Sequence, residues 1–155
     1  MSSFRFDSSQ FEASLQRLVR DVMPDAIKRG LGVAGMQLLN DAALETPTVP
    51  HDEGTLRGSG SVLVEGKLVG TSPSPRGKGT PATEDTTTGR PGQFVAVIGF
   101  NTPYAAYLHE GVRLDGTHTV ANWTEPSSGA KYLERKLLEN RDLYFQIVAG
   151  EIARF

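Results

Sequence analysis

Residues 94–111 (FVAVIGFNTPYAAYLHEG) change from strand to helical periodicity within a few positions, which restricts how the chain around them can fold. The stretch begins with alternating β-branched and aromatic residues, which predict a strand. Asn-Thr-Pro at 101–103 then ends that strand, because proline cannot continue a central ladder and asparagine favours turns. Tyr104 and Leu108 follow at helical spacing, and Gly111 stands where a glycine commonly ends a helix. We therefore predict a strand, a turn and a short aromatic helix, and no acid–base pair is visible among these residues.

A helical pattern occupies the N-terminal third of the chain. Apolar residues recur on one face of residues 11–22, and Pro24 either kinks this helix or opens a second one at its first turn. A second apolar stripe covers residues 27–42 and ends before Pro47, since the residue that precedes a proline disfavours the helical conformation. Glycines inside this stripe predict close packing on a sheet or a neighbouring helix, with a hinge as the alternative. They are Gly30, Gly32 and Gly35.

The middle of the chain has the alternation of a small antiparallel sheet. Residues 56–65 alternate loosely between apolar and polar positions. A hairpin turn at 65–67 returns the chain through Leu68 and Val69. Residues 120–124 suggest one more short strand or an extended edge.

A long helix is predicted at the C-terminus. The serine pair at 127–128 can cap it, and it begins near Ala130. Lys136 falls on its apolar and semi-apolar face, and Arg135 with Glu139 forms an i,i+4 pair. No proline interrupts the pattern, so we expect the helix to continue towards the end of the chain.

Together these patterns predict an α+β fold, since two helical blocks flank a short run of strands. The small antiparallel sheet would pack against the N-terminal helix, or kinked helix pair, and against the long C-terminal helix. The length of 155 residues is that of one domain, covering 1–155, with a long inter-strand loop at 71–93.

The loop at 71–93 has no periodic apolar pattern. Its Ser, Pro, Thr, Gly and charged residues predict an extended, flexible segment. Loops of this length inside a compact domain generally carry function or are disordered. Two interpretations stay open: a solvated insertion, or a segment that becomes ordered against a partner chain. Its charged residues include Arg76, Lys78, Arg90, Glu84 and Asp85.

Composition argues against several classes of function. With a net charge of −2 over 155 residues, the chain has no overall basic field that would recruit nucleic acid. It contains no cysteine, so disulfides, thiolate zinc sites and cysteine nucleophiles are ruled out. We find no secretory signal and no apolar run of about 20 residues, and so expect a soluble protein made in the cytoplasm.

Catalytic motifs are mostly absent from the sequence. His109 and Glu110 invite a metal site, but the zincin pattern needs a second histidine at position 113, which is Arg113. Neither a Gly-x-Ser-x-Gly elbow nor a Gly-x-Gly-x-x-Gly loop occurs. Tyr104 and Tyr107 have no flanking basic stripe, so we predict that they pack inside the domain and that their alanine variants lose several kcal/mol. The sequence therefore predicts no enzyme and no cofactor.

Three short segments stand out when they are taken together. The first combines Thr-Pro at 46–47 with Gly-Thr-Leu-Arg-Gly-Ser at 54–59, the second is residues 97–111 with its Pro-Tyr-Ala corner, and the third is the helix start at 129–137. In this order and spacing they resemble the head–tail joining family of long-tailed bacteriophages, which comprises neck, minor capsid and tail-completion proteins. The matching residues are Thr46, Pro47, Gly54, Leu56, Arg57, Ser59, Pro103, Tyr104, Ala105, Glu110, Gly111 and Leu133.

The chain departs from the family pattern in three places. The link at 49–53, between the proline and the glycine of the first segment, is longer than is usual in the family, and the loop at 71–93 is longer than is typical. The family's Glu-Phe-Gly-Thr ending is reduced to His-Glu-Gly-Val at 109–112. These departures leave the fold prediction unchanged and leave the neck layer open between connector, tail completion and terminator.

The resemblance implies a structural virion protein, made in the host bacterial cytoplasm, that forms a homo-oligomeric ring in the neck. The ring would be a hexamer, or alternatively a dodecamer, between the portal, adaptor or stopper and the tail tube. Viral DNA would pass through its lumen without being read, and no membrane is involved. The competing hypothesis is a metal-assisted hydrolase of a phage or prophage that uses His109 and Glu110. Candidate partner contacts are Arg76, Lys78, Arg90, Tyr107 and Glu110.

Overall fold

The fold is α+β, as predicted, and combines a three-stranded antiparallel sheet with a long N-terminal helix and C-terminal helices. A computed structural model describes residues 9–50, 54–73, 77–112, 119–120, 123 and 125–154. Among these residues, no helix has both the length and the apolarity that a membrane span requires.

The N-terminal third forms one helical rod made of three consecutive parts. They are α1 (Ser9–Arg17), a π-helical segment (Leu18–Val22) and α2 (Met23–Leu44). Backbone angles at both junctions are right-handed helical, with φ/ψ of −62°/−44° at Arg17 and −61°/−39° at Met23, so the helix is not interrupted. Pro24 lies in the first turn of α2, as in the second predicted alternative, but α2 continues directly from the π-helical segment and is not a separate helix.

The sheet has the strand order β2-β1-β3, so that β1 is central. The strands are β1 (Gly60–Val64), β2 (Lys67–Thr71) and β3 (Ala96–Phe100), and both pairings are antiparallel. The predicted hairpin turn is confirmed. Glu65 and Gly66 have φ of 50° and 77°, the left-handed values that a tight two-residue turn requires.

Two strands begin later than predicted, and the backbone hydrogen bonds show why. Before β1, residues Arg57–Ser59 form a 3-10 turn, in which the Ser59 hydroxyl donates to the Leu56 carbonyl oxygen at 2.7 Å. Before β3, the N–H of Val95 donates to the Glu65 carboxylate instead of to a strand. These two donors are therefore satisfied outside the ladder.

The rod packs against the sheet and against the C-terminal helix through its glycines. A Cβ atom added at Gly35 would lie 2.6 Å from Cγ1 of Val62 in β1, and one added at Gly30 would lie 2.9 Å from the Cα atom of Val148. The predicted close packing is thus confirmed on both a strand and a helix. α2 ends at Leu44, as expected for a helix that approaches Pro47.

After its strand, the stretch at 94–111 forms the predicted turn and short helix. After β3, the chain turns at 101–104 and forms α3 (Ala105–Glu110). Gly111 ends this helix with φ of 72°, a left-handed conformation that glycine adopts at little cost. The additional strand predicted at 120–124 lies mostly outside the described residues. Just before it, Thr119 forms an isolated β-bridge with Val112.

The prediction of one long C-terminal helix from Ala130 is wrong. The chain instead forms α4 (Glu134–Glu139) and α5 (Arg141–Ala153), separated at Asn140. Lys131 has φ of 60°, and its N–H donates to the His109 carbonyl oxygen at 2.6 Å, so a helix cannot pass through it. The serines at 127–128 contact Thr48 rather than cap a helix. The Arg135–Glu139 pair is confirmed, with 2.6 Å between Nε and Oε1.

The core consists of three adjoining clusters of buried side chains. Leu133 packs against all three of them and so connects the helices, the sheet and α3. The buried members are Ala42, Val49, Leu56 and Tyr132 in the first cluster, Ala34, Leu38 and Tyr144 in the second, and Leu39, Val62 and Val64 in the third.

Candidate functional site

The three segments that carry the family resemblance meet at one place, the three-segment junction, formed by Pro47, Ala105, Tyr132 and Lys136. Lys136 donates from Nζ to the Pro47 carbonyl oxygen at 2.7 Å, which joins the third segment to the first. Tyr132 donates from its hydroxyl to the Ala105 carbonyl oxygen at 3.1 Å, which joins the third segment to the second. Side-chain hydrogen bonds to backbone carbonyls thus hold together parts of the chain that are far apart in sequence.

Lys136 is fully buried in this junction. Its burial lowers the pKa of the ammonium, while the carboxylates of Glu139, Glu45 and Asp41 act in the opposite direction. The only hydrogen bond that Nζ makes among the described residues is the one to Pro47. The ammonium is therefore held by a carbonyl oxygen inside the protein, where no substrate can reach it without a rearrangement.

Tyr132 is the aromatic centre of the junction and is 1% exposed. Its ring makes edge-to-face contacts with Phe100, at 5.7 Å between centroids, and with His109, at 4.9 Å. Burial raises the pKa of its hydroxyl well above the usual range. The prediction that Tyr104 packs inside the domain is wrong, because Tyr104 is 41% exposed at the start of α3. Tyr107 is half-buried.

The other family-motif residues support the junction from several sides. Leu56 and Ser59 are buried, and Gly54 takes the left-handed φ of 89° before the 3-10 turn. Arg57 donates from Nη2 to the Val49 carbonyl oxygen at 2.7 Å and pairs with a Glu125 carboxylate oxygen at 3.4 Å. Thr46 and Pro103, by contrast, are exposed.

A histidine and two carboxylates lie next to the junction and resemble a metal site. One ligand atom from each of His109, Glu110 and Glu134 lies within 4.8 Å of the others. However, Nζ of Lys131 is 2.6 Å from Oε2 of Glu110 and 2.8 Å from Oε2 of Glu134. The ammonium thus takes the position between the two carboxylates, and with His109 it holds the pKa of Glu110 below its usual range.

His109 has a partner at each ring nitrogen. Nδ1 lies 3.2 Å from Oε1 of Glu110, and Nε2 accepts the backbone N–H of Glu134 at 3.3 Å. The second contact satisfies a free N–H at the start of α4, which makes the imidazole a helix cap. A metal ion would have to displace both Lys131 and this cap.

The described part of the loop at 71–93 is attached to the hairpin end of the sheet. The Glu65 carboxylate accepts the Gly89 N–H, at 3.1 and 3.2 Å from its two oxygens, and also the Val95 N–H. The Asp85 N–H donates to the Gly66 carbonyl oxygen at 3.1 Å. Among the candidate partner contacts, Lys78 and Arg90 are exposed in this loop, and Arg76 lies outside the described residues. Flexibility of the loop remains a prediction.

The helical side of the molecule presents an open apolar groove. It has a volume of about 660 Å³ and lies between α2, β3 and the α4–α5 pair. Its lining is almost entirely apolar and includes Leu31, Leu38, Ile98, Leu137, Phe145 and Val148. Leu137 and Phe145 are 48% and 66% exposed at its edge. The size and lining suit the apolar face of a helix or a comparably large apolar ligand.

The sequence predicts the elements around the junction, the loop and the groove better than it predicts the contacts within them. Lys136 stands four residues after Tyr132 on an apolar helical face, a signal that could have predicted a buried lysine. No sequence signal marks Glu65 as the residue that holds the loop. The groove could not be predicted either, because it depends on the break at Asn140 and on how α4 and α5 pack.

Comparison of the chain with protein-family models, with curated proteins and with solved structures found no match. The likeness to phage neck proteins therefore depends on the three segments alone. What the geometry adds is that these segments, which are distant in sequence, form one buried junction.

Proposed function

We propose that the chain is a structural virion protein that forms a ring in the neck of a long-tailed phage, between the portal, adaptor or stopper and the tail tube. The observation that carries the proposal is the apolar surface left open on the helices. Leu44, Leu138 and Phe145 are each at least 66% exposed, in addition to the groove. Monomeric soluble proteins rarely expose extended apolar patches, and such patches mark surfaces that bind other proteins.

The three-segment junction supports the same role from inside the domain. It connects the start of the sheet, the α3 corner and α4 through buried groups, so surfaces on different elements keep fixed relative positions. A ring needs such rigidity, because each subunit must present two different patches at a constant angle for the ring to close.

The charge of the chain suits a ring through which DNA passes. A net charge of −2 provides no strong attraction to phosphates, and DNA could move through such a lumen without being held. The loop at 71–93, which carries Lys78 and Arg90 as exposed cations, would contact a neighbouring ring or line the lumen.

Removing the chain from the phage that encodes it tests the function directly. Lysates made without the chain should contain filled heads and free tails, and electron micrographs count both. Complementation by the wild-type chain should restore tailed particles. Tailed, infective particles in the absence of the chain would contradict the proposed function.

A second experiment tests the loop. Ser72 contacts Gly60 at one end of β1 and Gly89 contacts Glu65 at the other, and five strand residues separate these points by about 16 Å. A simple deletion would therefore strain the sheet, so residues 73–88 are better replaced by a Gly-Ser linker of about eight residues, which can extend to about 26 Å.

The linker variant should fold with a somewhat lower thermal transition, because the contact between Asp85 and Gly66 is lost, and it should fail to join heads to tails. A matched control replaces the same residues with their own sequence in shuffled order, which keeps length and composition. The shuffled loop should fail as well if specific contacts matter. Normal virion yield from the linker variant would contradict a role for the loop in joining.

The cluster of His109, Glu110 and Glu134 favours metal-assisted hydrolysis as a second candidate function. Elemental analysis of the purified chain distinguishes the two. The neck proposal predicts no stoichiometric zinc or manganese, since the Lys131 ammonium already lies between the two carboxylates. A metal bound at one equivalent per chain and lost in Glu134→Gln would favour the hydrolase.

A further inference from the structure

The first part of the N-terminal rod exposes apolar side chains. This part, the arm, consists of α1 and the π-helical segment, residues 9–22. Leu15 and Val19 are 46% and 56% exposed, and together with Leu18 and Val22 they follow the i, i+3, i+4, i+7 spacing of one helical face. The arm thus carries an apolar stripe that its own chain leaves largely in solvent.

The arm cannot cover the groove of its own chain. The groove uses the section of α2 between Leu31 and Leu38, and the arm belongs to the same uninterrupted rod. Leu15 precedes Leu31 by about 24 Å along the helix axis at 1.5 Å per residue. The rod would have to break near Val22 for the arm to turn back, yet the backbone there is helical.

We infer that the arm of one copy lies in the apolar groove of a second copy of this chain. The dimensions agree: the apolar stripe from Leu15 to Val22 extends over about 10 Å along the helix axis, and the wall of the groove on α2, from Leu31 to Leu38, extends over the same length. The charges also permit this contact. The arm carries Arg17 and Arg20 beside acidic residues, and the groove rim carries both Glu134 and Arg141, so neither surface has a single sign.

The area of the contact supports a second copy as the occupant. Each apolar side chain removes roughly 60–120 Å² from water, which gives about 250–500 Å² for the arm and a similar area for the groove. One arm–groove contact therefore buries about 500–1,000 Å², which is small for a stable complex. In a reciprocal dimer two such contacts share one interface and bury about 1,000–2,000 Å², which overlaps the range of about 1,200–2,000 Å² for specific interfaces. In a ring each interface holds one arm–groove contact, and further exposed apolar residues such as Leu44 and Leu138 would have to add to it.

This inference deepens the proposed function and rests on it for the closed ring, but not for the contact itself. An arm that enters the groove of the next copy joins two different patches, and this type of interface closes into rings. The same contact made reciprocally would give a two-fold dimer. The arm and groove residues are the same in both arrangements, so the contact can be tested before the number of copies is known.

Three variants separate the arm from the groove. The arm variant is Leu15→Glu/Val19→Glu, and the groove variant is Leu137→Glu/Phe145→Glu; all four side chains are exposed, so the fold should tolerate the changes. The matched control is Val33→Glu/Val69→Glu, which places the same charges at positions of α2 and β2 that are 47% and 53% exposed and lie outside the arm and the groove lining.

Native mass spectrometry and size-exclusion chromatography then give the readout. The wild type and the control should associate, and the arm and groove variants should be monomers with affinity at least about 100-fold weaker, as for the loss of two buried anchors. Mixing the two variants at high concentration should restore a weak 1:1 association, because one intact arm and one intact groove remain, and it should stop at heterodimers.

A monomeric wild type, an arm variant that keeps the wild-type mass, a control as defective as the arm variant, or a mixture that stays monomeric would each overturn the inference. The outcome is distinguishable from failure of the proposed function. If the mixed variants form heterodimers but phages that lack the chain still have tails, the arm contact is supported and the neck role is rejected. If heads and tails stay unjoined without the chain but the arm variant associates like the wild type, the neck role is supported and the arm contact is rejected.

Discussion

The three-segment junction and the arm place apolar side chains in opposite settings. In the junction, Tyr132 is buried, and its hydroxyl and the ammonium of Lys136 both bond backbone carbonyls of distant segments. In the arm, Leu15 and Val19 are exposed, and the polar contact between Arg20 and Asp21 joins adjacent residues. The difference separates the contacts that stabilise one chain from the apolar surface that this chain leaves in solvent.

This contrast predicts that substitutions in the junction change stability and that substitutions in the arm change association. The largest effect on stability should come from Tyr132→Ala. Loss of its buried ring and of two edge-to-face contacts should lower the free energy of unfolding by about 3–5 kcal/mol, measured by urea denaturation.

The matched control for that substitution is Tyr104→Ala. Its ring is exposed at the start of α3, so the expected loss is below about 1 kcal/mol, in place of the several kcal/mol that the sequence alone predicted. Equal losses of unfolding free energy in Tyr132→Ala and Tyr104→Ala would contradict the claim that the buried ring of the junction stabilises the fold more than the exposed ring does.

The next largest effect should come from the contact between the rod and the sheet. Gly35→Ala should lower the free energy of unfolding by about 1–3 kcal/mol, because the new methyl group would overlap Val62. Gly150→Ala, in α5, has open space around its Cβ position and should raise stability by about 0.5–1 kcal/mol through helix propensity. Thermal or urea unfolding measures both, and a neutral Gly35→Ala would contradict the close packing.

A smaller effect should appear in the pH dependence that Lys136 causes. Burial lowers its pKa in the folded chain, whereas the unfolded chain keeps the usual lysine pKa of about 10.4. Between these two values the unfolded state binds more protons, so the free energy of unfolding should rise with pH through this window. In Lys136→Met this rise should be absent, and urea denaturation at several pH values up to about 10 compares the slopes.

Comparing the pH slopes of the wild type and Lys136→Met removes the effects of other titrating groups. Tyr132 and Tyr144 both have raised pKa values, and their effects, which lower stability as pH rises past their usual pKa, occur in both proteins. Parallel curves for the wild type and Lys136→Met would show that the ammonium is not desolvated in the folded chain.

The smallest effect on stability should come from the arm. Leu15→Glu/Val19→Glu should change the free energy of unfolding by less than about 0.5 kcal/mol when measured at a dilution where copies do not associate. A loss of 2 kcal/mol or more, about the cost of removing a buried side chain, would show that the arm packs within its own chain.

Local patterns predicted the elements, and long-range contacts decided where these elements end. The hairpin at 65–67 and the Gly111 helix end depend on backbone conformations that neighbouring residues determine, so the sequence predicted them. The start of α4 depends on the bond between Lys131 and His109, which are 22 residues apart in sequence, and no local pattern contains that contact.

The candidate site shows the same limit. The sequence marked His109 and Glu110 but could not reveal that Glu134 joins them or that Lys131 lies between the carboxylates. The lack of a basic stripe beside Tyr104 predicts that this residue packs inside the domain. That pattern carries no information on burial: Tyr104 is exposed at the start of α3, and the centre of the junction is occupied by Tyr132, which comes from a distant segment.

The native mass of the full-length chain over a series of concentrations tests the central claim most directly, namely that the open apolar helical surface binds further copies of this chain. We predict a closed oligomer with a fixed number of copies, six or twelve, seen as a ring in electron micrographs. A monomer at every concentration, or an open series of masses without a preferred size, would contradict that claim.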